Sequence, residues 1–448
     1  MSDANEQIRR LTAFSAKDRE QALRALAAST AFPPPGGNVN MHAHSFFSYN
    51  ASGASPSLLA FEARRAGLWA MGLCDFDVLD GLAEFTRAGL ILGLRTTVNL
   101  ETRAFLREYA SAEINSPGEP GVTYIMGAGF VKVPSPASDE GKTLAGWRRQ
   151  AGNRNLALIR RINPHVAEIA IDLERDVMPL TPSGAPTERH IIRAYCRKAA
   201  AVFPADSGAA FWARVLALEP AAAAALTRDI PALEEKVRAK FAKKGGFGYE
   251  QPTEKTFPLA DEFAAWCLAC GAIPMITWLD GTSAGEADPR AMCECLMAKG
   301  CAAVNIVPDR NWNLKDPAAA ALKQKKLKEF VETAEALHLP VNIGTELNRD
   351  GLPFADDLDG PALKPYAEIF RRGASIFCGH TVLFRYAGFS YTGEAARSRF
   401  GADIPAKNRF FEAVGRLPAL TEARAAELLA MGPEKALKSF EEAAGKNV

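Results

Sequence analysis

Apolar and polar positions change period several times along the chain. From Leu11 to Ser29 the apolar residues recur at helical spacing, and Phe32-Pro33-Pro34-Pro35-Gly36-Gly37 ends that run, because proline lacks the backbone donor and glycine resists helical order. A strand is predicted over 38–44. Helix over 58–66, strand over 69–74, helix over 81–92 and strand over 95–100 follow. Short apolar strands alternating with helices of about ten to fifteen residues predict βα units and parallel pairing.

The alternation stops between about Phe130 and Phe257, where Ala, Arg and Lys dominate and helices are predicted over 192–202 and 231–242. This stretch reads as a helical insertion at about 131–257. The Ala221–Ala225 tract within it is helix-forming filler. The βα rhythm resumes with a helix over 259–270 and strands over 273–278, 303–307 and 340–343. Helices over 289–299 and 322–337 lie between these strands, and a further strand is expected over 373–378. From Lys407 the pattern is helical, including 422–431 and 434–443. The expected organisation is an N-terminal helical extension (1–36), a barrel (37–400) interrupted by the insertion, and a C-terminal helical tail (401–448).

The composition narrows the function. A chain of 448 residues with 48% hydrophobic content can bury a large core. Its 53 Lys and Arg against 52 Asp and Glu remove the electrostatic footprint of a nucleic-acid or anionic-membrane binder, so a small molecule recognised locally is expected. The polar start and the lack of an apolar run of bilayer length point to a cytoplasmic protein. The eight cysteines are scattered through apolar segments and read as buried free thiols. This includes Cys267 and Cys270, whose spacing lacks a matching second pair.

His42 and His44 stand two apart at the end of a predicted strand, where the pleat sends both rings to one face. Such a pair is either a metal site, since neutral imidazole is a ligand for zinc, iron and manganese, or a polar strand terminus facing solvent. The spacing alone leaves both open. Asn40-Met41-His42-Ala43-His44-Ser45 precedes a Ser/Gly loop, a helix led by Ser55-Pro56, and a strand running into Cys74-Asp75-Phe76-Asp77.

This order resembles the start of the PHP (polymerase and histidinol phosphatase) family. In that family an HxH-Ser opening, a Pro-led helix and a strand ending in Thr-Asp-His assemble part of a metal cluster. The resemblance is clear over about 38–130 and looser around His190 and over 273–348. Within the family the chain is most similar to small phosphoesterases and 5′-3′ exoribonucleases that carry a helical insertion. It implies an α/β fold, a distorted TIM-like (β/α)7 barrel with that insertion. It also implies that Glu101 bridges metals, that Thr187-Glu188-Arg189-His190 returns a histidine to the site, and that Glu346 in Gly344-Thr345-Glu346-Leu347-Asn348 is the terminal acidic ligand.

Several family ligands are replaced, by Tyr49, Phe76, Tyr124, Trp278 and Asn348. The losses fall mostly on one of the family's three metal positions, while His42, His44, Glu101 and Glu346 keep another whole. With His190 as a fifth candidate, one or two divalent ions (Zn, Mn or Fe) are expected, activating a water for hydrolysis. Asp75 and Asp77 are candidate supporting or general-base carboxylates, Asp75 expected behind a ligating histidine. His380, read as following an apolar strand, is a candidate acid/base or ligand. Arg189 and Arg103 are candidate donors to an anionic substrate, and Tyr124 and Trp278 are expected to narrow the pocket. Gly245–Gly248 reads as a turn or a lid, and His165 and His338 as structural. The leading expectation is a phosphoesterase-type hydrolase acting on a small phosphorylated substrate. Hydrolysis of carbon–nitrogen bonds, proton transfer on a carbonyl compound, and a non-catalytic ligand-binding descendant are the alternatives.

Overall fold

The computed structural model describes residues 3–204 and 206–445, so the outermost residues of the expected extension and tail lie outside the described range. Seven strands form one sheet in sequence order: β1 (Val39–Ala43), β2 (Ala70–Phe76), β3 (Arg95–Phe105), β4 (Val122–Ala128), β5 (Ile273–Trp278), β6 (Ala303–Ile306) and β7 (Val341–Ile343). A parallel bridge between Ala43 and Glu346 brings the two edges together, so the sheet curls into a nearly closed, distorted barrel.

Strands β1–β3 and β5–β7 pair in parallel, as the alternation predicts. β4 runs antiparallel to both of its neighbours. The connection between β3 and β4 holds only the short turn Arg107–Tyr109 and lacks the helix that usually carries a parallel crossover. The parallel strands are almost wholly buried, which explains their near-continuous apolar runs.

The segment 373–378, expected as a strand, lies inside the helix Ala367–Ala387. It is buried on nearly all sides, which removes the one-sided periodicity that distinguishes a helix. Its small residues reflect close packing: a Cβ on Gly373 would sit 1.9 Å from the Val341 carbonyl oxygen of β7. The helix expected over 11–29 is also shorter, beginning at Ala16 with Ser15 as its cap and preceded by a separate helix, Asp3–Arg10.

One continuous core joins the barrel to both ends of the chain. Leu23 and Leu26 from the first helices, and Phe411, Leu428 and Phe440 from the last, pack in the same cluster as Met41, Met126 and Ile343. The insertion has its own core, in which Ile162, Tyr195, Trp212, Val237 and Phe241 meet. Its principal helices are Asp139–Ile162, Glu188–Val202 and Ile230–Ala242. Gly245–Gly248 is a turn closing the last of these, with the Phe247 and Gly248 amides donating back to Lys240 and Phe241, and His165 stacks on Phe247 at 4.4 Å. All eight cysteines are free. No single helix among the described residues is long and apolar enough to cross a membrane.

Candidate metal centre

The register between β1 and β2 shifts between Asn40 and Ala43, leaving one extra residue on β1. Such a bulge re-aims side chains. It also frees the Met41 carbonyl, which accepts from the Asn99 amide at 2.9 Å and from Asn342 at 3.3 Å inside the barrel. The bulged strand approaches β2 where Gly72 lies, and any Cβ there would fall 2.4 Å from the Met41 oxygen.

The result is the convergence that the HxH spacing predicts. The His42 and His44 rings lie 5.3 Å apart between centroids. Both Nε2 atoms face Glu101 on β3, at 3.7 and 3.4 Å from its Oε2. Ligand atoms of these three buried residues all lie within 4.8 Å of one another. Neither ring nitrogen of His42 has a hydrogen-bond partner although the residue is fully buried. Burial alone would raise the Glu101 pKa, but the two imidazoles close to its carboxylate hold it well below the usual carboxylate range. His44 moves the opposite way: burial disfavours its charged form, yet Glu101 outweighs this and raises its pKa.

Asp75 supports His44 through serines rather than by touching the ring. It accepts from the Ser45 amide and hydroxyl, both at 2.7 Å, and from the Ser48 hydroxyl at 2.9 Å, while Ser48 Oγ lies 3.2 Å from His44 Nδ1. Burial raises its pKa, and the Ser45 bonds oppose that rise. Asp77, in the left-handed region at φ 62°, accepts from Thr102 at 2.6 Å and pairs with Arg154 at 4.0 Å.

Glu346 reaches the rim of the site but lies outside the group of three. Its carboxylate is bonded by Arg310 and by the Asn348 amide at 3.1 Å. Burial would raise its pKa, and Arg310 brings it below the ordinary value. His190 also lies outside the group. Its Nδ1 accepts from the Thr187 amide at 3.1 Å, and its ring meets Tyr49 at 5.2 Å. Burial, followed by the charge of Arg193, lowers its pKa to about 3. Tyr49 in turn donates to Glu234 of the insertion at 3.1 Å.

His380 is on a helix, and both of its nitrogens are engaged: Nδ1 accepts from the Tyr391 amide at 3.0 Å, and Nε2 meets the Gly129 carbonyl at 3.1 Å. Trp278 stacks on Phe330 of an outer helix at 4.6 Å, within the core. Arg189 pairs with Glu235 at 2.6 Å, and Arg103 with Glu119 at 3.0 Å. Tyr124 remains beside the site: burial raises its pKa, Arg103 and Arg238 oppose the rise, and Glu101 adds to it. Arg238 and Lys243, both from the insertion, pair with Glu188 at 2.7 and 3.0 Å.

Sequence reasoning missed Arg310, Arg238, Lys243 and Ser48. Arg310 carried a usable signal, since it follows β6 directly and functional residues of such barrels collect at the C-terminal ends of strands. The two insertion cations carried none, because their approach depends on how the insertion docks.

No family model matches the chain. Error-prone DNA polymerases of Mycobacterium bovis and Mycobacterium tuberculosis are 34% identical to it over 99 residues, 20% of this chain. The chain spans 9% of the length of these curated relatives. Among solved structures, an amidohydrolase from Chromobacterium violaceum, with bound sulfate and no metal, superposes with a TM-score of 0.50 at 16% identity. The match covers 74% of this chain and 96% of that one. A proposed metal-dependent phosphoesterase from Bifidobacterium adolescentis gives a TM-score of 0.45 at 16% identity, covering 75% of this chain and 98% of that one. The first of these likenesses establishes a shared fold.

Proposed function

From the premise that this chain is built on a PHP-like barrel, we propose that it is a metal-dependent hydrolase, a phosphoesterase cleaving a small phosphorylated substrate with water. One divalent ion (zinc, manganese or iron) would be held by His42, His44 and Glu101. The observation that carries this reading is His42, fully buried with both ring nitrogens unpartnered beside a carboxylate. Leaving a buried polar group unsatisfied costs about 1–3 kcal/mol, which coordination would offset. Two imidazoles and a carboxylate form a donor set suited to these metals.

When bound, such an ion lowers the pKa of a coordinated water and polarises the electrophile. The chain's own residues supply the remainder. Asp75, acting through Ser45 and Ser48, fixes the loop that carries His44 and ties its Nδ1, so that Nε2 faces Glu101. Arg103 and Arg238 stand around Tyr124, which faces Glu101, and with Lys243 they would supply donors to an anionic group that displaces their present partners Glu119 and Glu188. Asp77, a buried carboxylate whose pKa is raised by desolvation against Arg154 and Thr102, is the candidate general base. His190 and His380 are assigned structural roles.

The test is elemental analysis of protein purified without chelators, beside a His42→Ala control, followed by a panel of phosphomonoesters and phosphodiesters. About one metal per chain, lost in the control, with turnover of at least one ester, is expected. Metal without phosphoester turnover moves the reaction to carbon–nitrogen hydrolysis on the same centre. Absence of metal from both proteins refutes the proposal and leaves a ligand-binding barrel.

A further inference from the structure

Arg310 follows β6 in the turn Asp309–Trp312, and its guanidinium lies on Glu346 at the rim of the metal centre. The backbone of Glu346 has little freedom. Its amide donates to the His42 carbonyl at 2.7 Å, and its own carbonyl accepts from the His44 amide at 2.8 Å. Glu346 and Leu347 stand at φ 64° and 57°, a region that non-glycine residues occupy only when the surroundings impose it. Glu346 is thus fixed to the same short segment as the two histidines, and its carboxylate feels their charge. One of its oxygens is nevertheless occupied by two donors, Arg310 and Asn348.

Charge counting makes the pairing consequential. A divalent ion beside Glu101 and Glu346 would be neutralised by the two carboxylates. With Arg310 on Glu346, the same ion leaves one positive charge uncompensated in a buried site, where charges interact far more strongly than in water. Arg310 therefore competes with metal for the carboxylate and opposes metal binding by repulsion.

Resting on the metal-centre reading above, we propose that Arg310 is a built-in cation that withholds Glu346 from the ligand set, so that the chain holds one divalent ion weakly on His42, His44 and Glu101. Arg310 is in this sense a positioning residue, acting on the metal through Glu346. The surplus charge it leaves favours an anionic ligand on the bound ion.

The experiment is equilibrium dialysis of metal-stripped full-length protein against zinc alone, with stoichiometry and affinity read by elemental analysis. Arg310→Met should bind zinc at least tenfold more tightly than the parent. Glu346→Gln alone should weaken binding, because it leaves the Arg310 charge unneutralised beside the ion. In Arg310→Met/Glu346→Gln the tenfold gain should disappear. Unchanged or weaker binding in Arg310→Met overturns the inference, as does a gain that survives in the double variant, which would mean simple repulsion without release of Glu346. If Arg310→Met does not fold, Arg310→Gln removes the charge while keeping a donor, and the same comparison applies. His42-dependent zinc in the parent with no gain in either Arg310 variant refutes this inference alone. Zinc absent from every variant refutes the metal centre as well.

Discussion

Replacing His380 with Leu should destabilise the protein strongly at neutral pH and progressively less in acid, while leaving metal content per folded chain unchanged. The ring is fully buried and bridges the Tyr391 amide to the Gly129 carbonyl, at 3.0 and 3.1 Å. A leucine of similar size fills the volume but strands both backbone groups, at about 1–3 kcal/mol each, so a loss of roughly 2–6 kcal/mol is expected at pH 7.5. The pH dependence follows from the neutral ring. Burial lowers its pKa from 6.5 to about 4, with the Gly129 bond opposing the shift. Between those values the unfolded chain takes up a proton that the folded chain refuses, so the histidine's contribution is complete above pH 6.5. It declines as pH falls toward 4, by roughly 1.4 kcal/mol per pH unit. The gap between parent and variant should therefore narrow across that window. Urea denaturation followed by circular dichroism at pH 7.5, 6.0 and 5.0 measures it. A gap that is constant with pH would refute the argument, and loss of metal or turnover in folded variant would show that His380 serves the site directly.

Two further outcomes test other parts of the structure. Asp75→Asn replaces a carboxylate that accepts from three donors on the His44 loop. It should cost about 2–4 kcal/mol of stability and lower zinc affinity by roughly 10- to 100-fold, read by denaturation and dialysis; unchanged affinity would show that the serines hold His44 unaided. Gly373→Ala forces a methyl to within 1.9 Å of the Val341 oxygen and should cost more than about 3 kcal/mol. Gly152→Ala, in a helix with nothing within 4 Å of the added carbon, should be neutral or stabilising by up to ~1 kcal/mol. Equal effects of the two in thermal unfolding would contradict the packing account.

The strands were legible because buried parallel strands write short apolar runs bounded by turns. The expected 273–278 coincides with β5, and the other strand predictions over 38–44, 69–74, 95–100, 303–307 and 340–343 differ from the observed strands mainly at their ends. What stayed hidden has identifiable causes. The 373–378 stretch lost its helical period because that helix is enclosed by β7 on one side and the helix Ile404–Gly415 on another. The antiparallel direction of β4 is not written in any pattern within the strand. At the site, His42 and His44 were readable from their spacing at the end of a strand, and Glu101 from its place in the family order, although it lies within β3 rather than after it. The engagement of Glu346 by Arg310 was not, because it joins the turns after two different strands, 36 positions apart. His380 shows the limit of residue type as a guide: a buried histidine satisfied by backbone looks, in sequence, the same as one waiting for a ligand.

The shared core has a consequence for how the chain is made. A ribosome completes β7 at Ile343 well before it delivers Phe411, Leu428 and Phe440, which cover the helix Ala367–Ala387. Until those residues emerge, the nascent barrel presents a long apolar helix with no cover, a surface suited to chaperone capture and prone to self-association. The helices from Ile404 onward thus complete the cover of the barrel, and shortening the chain behind Phe400 should yield aggregate rather than a smaller barrel.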